Sequence, residues 1–389
     1  MRLSIKEGKT LLVDGPASVN LLKGSATVLG AIIGAESKIV VRNGKRLPFE
    51  AVKDAEFELT LGEASSFQEI DGSAIPNSWK NAADTLLASK GSASVLIIGC
   101  VDSGKTGFCT YLANEALKKR RKVAIIDADL GQSDLGPPTT VGLARIAEPA
   151  ADLFGIQTES IVFVGATTPS KAFNASLNAL KALNKRILET GIDFLIVNTD
   201  GWVVGEEATN HKNQLIELLA PSGIVAIQEG DELESLLETL KDLRPFLVES
   251  PKNVRKRSHE MRKALRELAY RKYLKGAKIQ SYPLSWVKIR GAPIETINSL
   301  GSEQRSTDES SLQATPVYYE GPATLLSGED LKNLLVGIED EKDELLGIGI
   351  LCSIDLERRT MKVYTPVTQP TPTIHIGRVK LDKSGKEIV

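Results

Sequence analysis

The sequence predicts an α/β chain: a central, doubly wound parallel sheet flanked by N-terminal and C-terminal β-rich domains. Three observations carry this. Short β-branched runs separated by glycine-containing turns fill residues 1–88. From 89 to 278, apolar runs of four or five residues alternate with longer stretches of helical period. From 279 to 389 the strand pattern returns.

In the first part, TLLVDG, SATVLG, SKIVVRNGKRLPFEAV and DAEFELTLG read as strands of a small sandwich or barrel. Asn43-Gly44 suits a tight hairpin turn that needs positive φ. Ser65 to Lys90 reads as a looser segment punctuated by Gly72 and Pro76. In the second part the apolar runs are Val95–Ile98, Val123–Ile126, Ile161–Val164, Phe194–Val197 and Ile224–Ile227. Runs apolar on both faces suit strands covered by helices on each side. Phe173, Leu177, Leu180, Leu183 and Ile187 recur at steps of three and four and define one helix face. Leu233, Leu236, Leu237 and Leu240 do the same after Asp231, an N-cap type. In the third part SYPLSWVKIRG, TPVYYEG, LGIGILCSID, TMKVYTPV and TIHIGRVKL read as strands, and the polar stretch 305–316 as a loop or linker.

Composition removes several function classes. Over 389 residues, Lys+Arg is 48 and Asp+Glu is 50, so contact with nucleic acid must be local and not a general basic coat. Three cysteines without a CxxC pair and three scattered histidines argue against a disulfide framework and a zinc site. MRLSIKEGKTLLV has no signal-peptide pattern, and no apolar run spans a bilayer, so the expectation is a cytoplasmic protein with no membrane contact.

The strongest motif is Gly99-Cys100-Val101-Asp102-Ser103-Gly104-Lys105-Thr106, which fits G-x-x-x-x-G-K-[ST] between a strand and a helix. This makes the central part a P-loop NTPase domain. Gly99 and Gly104 let backbone N–H groups turn toward phosphate, and the helix N-terminus adds positive potential. Lys105 can reach β- and γ-phosphates, and the Thr106 hydroxyl can ligate Mg²⁺. Asp102, Ser103 and Gly107 complete the candidate nucleotide-binding set.

Asp127 and Asp129 follow the next strand, at the edge where such sheets bind ligands. Asp129 lies further out and is assigned as proton acceptor; Asp127 is assigned to the metal shell. Asn-Lys-x-Asp, which reads guanine, is absent after Asn184-Lys185, which disfavours a GTPase. Residues 252–278 hold 11 Lys/Arg against two Glu, so the net is 11 − 2 = +9. Arg257, Arg262 and Arg266 lie on what reads as a helix, with the last two on one face. They suit a clamp on a transferring phosphoryl group, a grip on a nucleic-acid backbone, or a solvated basic face. Trp202, beside Gly201 after a strand end, suits base stacking or a core position. Thr167 and Thr168 suit phosphate contact or helix capping.

GCVDSGKT, DADLGQ, GATTP, NTDGW and RSHEMRKALRELAYRKYL, in that order, resemble the polynucleotide 5′-hydroxyl kinases of pre-mRNA cleavage and pre-rRNA processing and their archaeal relatives. The resemblance covers most of the chain. It implies ATP and Mg²⁺ as cofactors and the 5′-hydroxyl end of RNA, or also DNA, as acceptor. It leaves room for protein partners from RNA processing, of unknown identity. Residue by residue, Lys105, Asp129, Arg262 and Arg266 would be catalytic, with the last two as a lid. Gln132, Thr167, Thr168, Trp202 and Arg257 would contact the acceptor strand. Ser170-Lys171-Ala172 stands where some relatives have Gly and then Asn after the Thr-Pro, a departure in the clasp segment. Two other readings compete: an ATP-binding scaffold without kinase activity, and a nucleotide-hydrolysing switch.

Overall fold

A computed structural model describes residues 1–188, 191–291, 331–355, 357–369 and 373–388. The expected strand TPVYYEG and the expected loop 305–316 lie outside the described residues. The chain forms two compact units: 1–136, 141–160 and 168–265 in the first, and 137–140, 161–167 and 266–389 in the second. Among the described residues, no helix is long and apolar enough to cross a membrane.

The first unit begins with strands β1 (Arg2–Ile5), β2 (Lys9–Asp14), β3 (Ala17–Val28), β4 (Ala31–Ile33), β5 (Lys38–Val41), β6 (Arg46–Leu61) and β7 (Ser66–Asp71). They form one antiparallel sheet in the order β4-β3-β6-β2-β7, with β1 on β6 and β5 on β3. Alternation decides which side faces inward: Val19 and Leu21 of β3 are buried while Ser18 and Asn20 are not. Phe49 and Phe57 of β6 meet edge to face at 5.9 Å in that core. The Asn43-Gly44 turn forms, with Lys45 N–H donating to Arg42 O at 3.1 Å and Gly44 at φ +76°. It does not close a hairpin: β5 and β6 both pair with β3 instead of with each other. A Cβ on Gly44 would come within 2.6 Å of Leu265 Cδ1.

The rest of this unit adds α1 (Asn77–Ala88), β8 (Ala93–Gly99), α2 (Lys105–Lys118), β9 (Val123–Ala128), β10 (Thr140–Ile146), β11 (Ser160–Phe163, which passes into the second unit), α3 (Phe173–Leu188), β12 (Phe194–Thr199), α4 (Glu206–Leu219), β13 (Gly223–Gln228), α5 (Glu234–Leu240), β14 (Phe246–Glu249) and α6 (His259–Tyr273, shared by the two units). The sheet order includes β10-β9-β12-β8-β13-β14. The last five strands are parallel, and β10 runs antiparallel to β9. Val95, Ile97, Ile125 and Ile196 are at most 1% exposed, as strands covered by helices require.

Three expectations change here. Ser65–Lys90 is not loose: it holds β7 and α1. The α1 face is Trp79, Ala82, Ala83, Leu86 and Leu87, whose alanines weaken the apolar signal. Trp79 packs edge-on against Phe108 at 5.1 Å and donates its indole N–H to Glu249 O at 2.9 Å. The N-cap of α5 is Leu233, with no side-chain cap, in place of Asp231. Arg257 precedes α6 and is not part of it.

The second unit contains β15 (Lys278–Pro283), β16 (Lys288–Arg290), β17 (Leu334–Glu339), β18 (Leu345–Asp355), β19 (Thr360–Thr365), β20 (Thr373–Leu381) and β21 (Glu387–Ile388). Their order is β15-β19-β18-β17-β20-β16, with β21 on β20. Tyr270 of α6 is fully buried here among Phe163, Leu335, Ile350 and Leu381.

Candidate active site

The site is built at the carboxyl ends of β8, β9 and β12, three adjacent parallel strands. The turn from β8 into α2 carries the glycine-rich loop. Gly104 sits at φ +99° at the helix start, a conformation that favours glycine. Asp102 also has positive φ, +58°. Lys105 is 6% exposed, and its ammonium donates to Gly99 O at 2.9 Å and Cys100 O at 2.6 Å. Burial pulls its pKa below the ordinary lysine value, opposed chiefly by the Asp129 and Asp200 carboxylates. Ser103 Oγ is buried and has no hydrogen-bond partner among the described residues. That orphan hydroxyl, the folded-over ammonium and a helix N-terminus fit a polyanion. Gly107, in the first turn of α2, faces the Trp79 ring, whose nearest atom would lie at ordinary contact distance, 3.6 Å, from an added Cβ.

Asp127 is fully buried at the end of β9. Its carboxylate accepts from Asp134 N–H at 2.7 Å, Asn198 Nδ2 at 2.9 Å and, more weakly, Ser133 Oγ and Asp129 N–H at 3.3 Å each. Burial pushes its pKa up to about 6, helped by the neighbouring Asp134 and Asp129 charges. Asn198 Nδ2 also lies 3.3 Å from Thr106 Oγ1, so one amide joins the two sequence-predicted metal ligands. The amide is held from behind by the Cys109 thiol, which donates to Asn198 Oδ1 at 3.7 Å. Burial holds that thiol well above its usual pKa, hence protonated. Thr106 hydroxyl and Asp127 carboxylate are hard oxygen donors, the type Mg²⁺ takes alongside substrate phosphates.

Asp129 lies two residues further on. One of its oxygens accepts from Gly131 N–H at 3.1 Å and Gln132 N–H at 3.0 Å. Its pKa is raised, first by burial and further by Asp200; Lys105 and Arg257 pull the other way.

The arginine-rich segment reaches the phosphate loop through Asp102. The Asp102 carboxylate accepts from Arg257 N–H at 2.9 Å, Arg257 Nε at 2.7 Å and an Arg262 terminal nitrogen at 3.3 Å. The same Arg262 nitrogen donates to Arg257 O at 2.6 Å. Gln132 closes the arrangement: its Nε2 donates to Arg262 O at 3.2 Å, and its Oε1 accepts from Arg257 at 3.4 Å. The structure therefore brings Asp102, Gln132, Arg257 and Arg262 together. Arg266, one helical turn beyond Arg262, is held elsewhere, in a two-point ion pair with Glu387 at 2.6 and 2.9 Å within the second unit. These three arginines are thus partnered, not a solvated basic face.

Trp202 is half-buried in the loop after β12. Thr168 precedes a short turn into α3, its Oγ1 3.0 Å from Ser170 Oγ, and makes no side-chain capping bond to that turn. Thr167, also half-buried, falls in the second unit. Sequence reasoning missed Asn198, Asp200 and Lys212. Asp200 accepts from Trp202 N–H at 2.7 Å and from the fully buried Lys212 Nζ at 2.7 Å. The signal was present: NTD follows an apolar strand run as DAD follows its own.

Residues 99–276 match the family model described as mRNA cleavage and polyadenylation factor CLP1 P-loop. The polyribonucleotide 5′-hydroxyl-kinase of Methanocaldococcus jannaschii is 30% identical over 341 residues, 81% of this chain and 94% of that protein. The corresponding Pyrococcus furiosus kinase is 28% identical over 81% of this chain and 95% of its own. Xenopus tropicalis polyribonucleotide 5′-hydroxyl-kinase Clp1 is 26% identical over 72% of this chain and 68% of its own. In fold, a solved Clp1p–Pcf11p complex superposes with TM-score 0.72 over 98% of this chain and 97% of that chain, at 14% identity.

Proposed function

Because the chain belongs to the polyribonucleotide 5′-hydroxyl-kinase family, we propose that it transfers the γ-phosphate of ATP to the free 5′-hydroxyl of an RNA strand. The observation that supports this most is the convergence on one sheet edge of the Lys105 loop, the Asp127–Asn198–Thr106 set and an arginine pair anchored to Asp102. Phosphoryl transfer passes through a loose, charge-rich transition state, so it needs positioning and charge stabilisation more than a covalent nucleophile.

In this reading Gly99 and Gly104 leave the loop backbone open to the triphosphate, Ser103 offers its unpartnered hydroxyl, and Asp102 and Gly107 complete the nucleotide-binding set. Lys105 turns from the loop carbonyls to the β- and γ-phosphates. Thr106 and Asp127 would hold Mg²⁺, which supplies charge neutralisation at the phosphate oxygens when bound. Asp129 accepts the proton of the attacking hydroxyl, and a raised pKa suits that task. Arg262 steadies the transferring group and Arg257 supports it, a lid role for Arg266 requires that it leave Glu387, and Gln132, Thr167, Thr168 and Trp202 position the acceptor end. The chain is read as three parts, 1–88, 89–278 and 279–389, acting in the cytoplasm with RNA-processing proteins as partners and DNA ends as a second acceptor.

The test is incubation with γ-labelled ATP and 5′-hydroxyl oligonucleotides of RNA and DNA, single- and double-stranded. Label should appear on RNA, and Lys105→Ala should abolish it while the fold persists. Transfer by a kinase-free Lys105→Ala preparation overturns the reading. Nucleotide hydrolysis with no labelled oligonucleotide points to a switch; nucleotide binding without turnover points to a scaffold.

A further inference from the structure

Four buried polar side chains stand behind Trp202, and among the described residues none of them hydrogen-bonds to the phosphate loop or to the arginine pair. Two are consecutive on α4: His211, 1% exposed, and Lys212, 0% exposed. Lys212 Nζ donates to Asp200 Oδ2 at 2.7 Å, while Asp200 Oδ1 accepts the Trp202 backbone N–H at 2.7 Å. One carboxylate thus ties the loop backbone to the helix. His211 lies against the Trp202 ring, centroids 5.7 Å apart, and against Phe173 edge-on at 4.9 Å. Its Nε2 is 2.8 Å from Ser176 Oγ on α3, and its Nδ1 has no partner among the described residues.

This is costly placement for mere cohesion. A buried ion pair is commonly no more stabilising than apolar side chains of the same volume, and a buried ring nitrogen without a partner is unfavourable. What the arrangement achieves is direction: the backbone of residue 202 is fixed by Asp200–Lys212, and one side of its ring by Ser176–His211.

We infer that Asp200, Lys212, His211 and Ser176 are positioning residues that set the Trp202 ring as a platform for the terminal base of the acceptor strand. The inference rests on the kinase reading, and it deepens it by naming what determines acceptor binding. Stacking of a base on an aromatic face needs that face held parallel and open, and a ring free to turn loses part of the gain to ordering.

The test uses the full-length protein labelled with 5-fluorotryptophan, whose three ¹⁹F resonances are assigned with Trp202→Phe. Two variants are compared with the parent: Ser176→Ala, and the paired Asp200→Asn/Lys212→Met, which leaves no lone buried charge. The Trp202 resonance should shift or broaden in both, while those of Trp79 and Trp286 stay in place. With RNA oligonucleotide and ATP varied separately, KM for the oligonucleotide should rise about tenfold in both variants, and in Ser176→Ala, which leaves Asp200 and its charge in place, KM for ATP and kcat should stay within about twofold of the parent. An unmoved Trp202 resonance in both variants overturns the inference, as does a uniform fall in kcat with unchanged oligonucleotide KM. Ser176→Ala removes one hydroxyl and keeps the test decisive if the paired variant does not fold. If the parent transfers no phosphate, the kinase reading fails while the fluorine spectra still decide whether the four residues set the ring.

Discussion

Asp102 belongs to the phosphate loop by sequence but spends its side chain on the arginine segment. Its carboxylate is 4% exposed, whereas Arg257 and Arg262 keep 17% and 25% of theirs. Removing it strands two cations that can still turn toward water, so the loss is smaller than for a fully buried pair. Asp102→Ala should cost about 1–3 kcal/mol. Amide hydrogen exchange should rise in residues 255–262 and not in β8. For Arg266 the partner is Glu387, and a double-mutant cycle of Arg266→Ala with Glu387→Ala should return a coupling of about 1–2 kcal/mol. Near-zero coupling would remove the two-point pair as a contributor. Of the residues concerned, Lys105, Asp127 and Arg262 were legible because a motif or strand end carried them. Asn198 and Asp200 were not singled out, since nothing in the local run shows that β12 lies beside β9 and sets Asn198 next to Asp127. The Arg266–Glu387 pair joins residues far apart in the chain, and nothing in the local pattern announces it.

At the scale of elements, α4 carries a titration that stability measurements can read. His211 has its pKa lowered to about 4, first by burial and then by Lys212, with Asp200 opposing. Unfolded, it titrates near about 6.5. Between these values the unfolded chain binds a proton that the folded chain refuses, so folding weakens as pH falls through that window. The loss amounts to about 3 kcal/mol by pH 4. His211→Leu should flatten this part of the profile, checked by urea midpoints from pH 7 to pH 4; an unchanged slope would show that the ring charges without strain. Elements with strong apolar period, such as α3 and the parallel strands β8, β9, β12 and β13, were legible because burial on a sheet dictates their pattern, whereas the short β14 was not singled out. β7 was not, since it is almost wholly exposed. α1 was obscured by alanines, and β10 by its antiparallel course beside the parallel strands.

Across the molecule, the β-rich N-terminal sheet and the central domain are joined inside the first unit by charge. Arg42 and Lys45 meet the buried Asp134 at 2.7 and 2.6 Å, and Arg42 also meets Asp152 at 2.9 Å. Lys45 and Arg42 hold the Asp134 carboxyl below its ordinary value despite burial. A depressed folded value stabilises above the unfolded pKa and is lost as pH falls below it. Replacing both cations, Arg42→Ala/Lys45→Ala, should cost about 3 kcal/mol at pH 7. The gap between variant and parent should narrow toward pH 3, read from denaturant midpoints; a gap independent of pH would assign the loss to packing. The alternation of strand-rich and α/β segments was visible in the chain, whereas the pairing that binds them was not, because it depends on which surfaces meet after folding.

The Asn43-Gly44 turn shows how little material such a meeting needs. Leu265 of α6 lies where a methyl group on Gly44 would stand, only 2.6 Å from its Cδ1, and the turn's φ of +76° already disfavours any other residue. The helix bearing Arg262 therefore rests on a notch of naked peptide, cut into a sheet at the opposite end of the primary structure. A single carbon added there would have to push the tip of the Leu265 side chain aside.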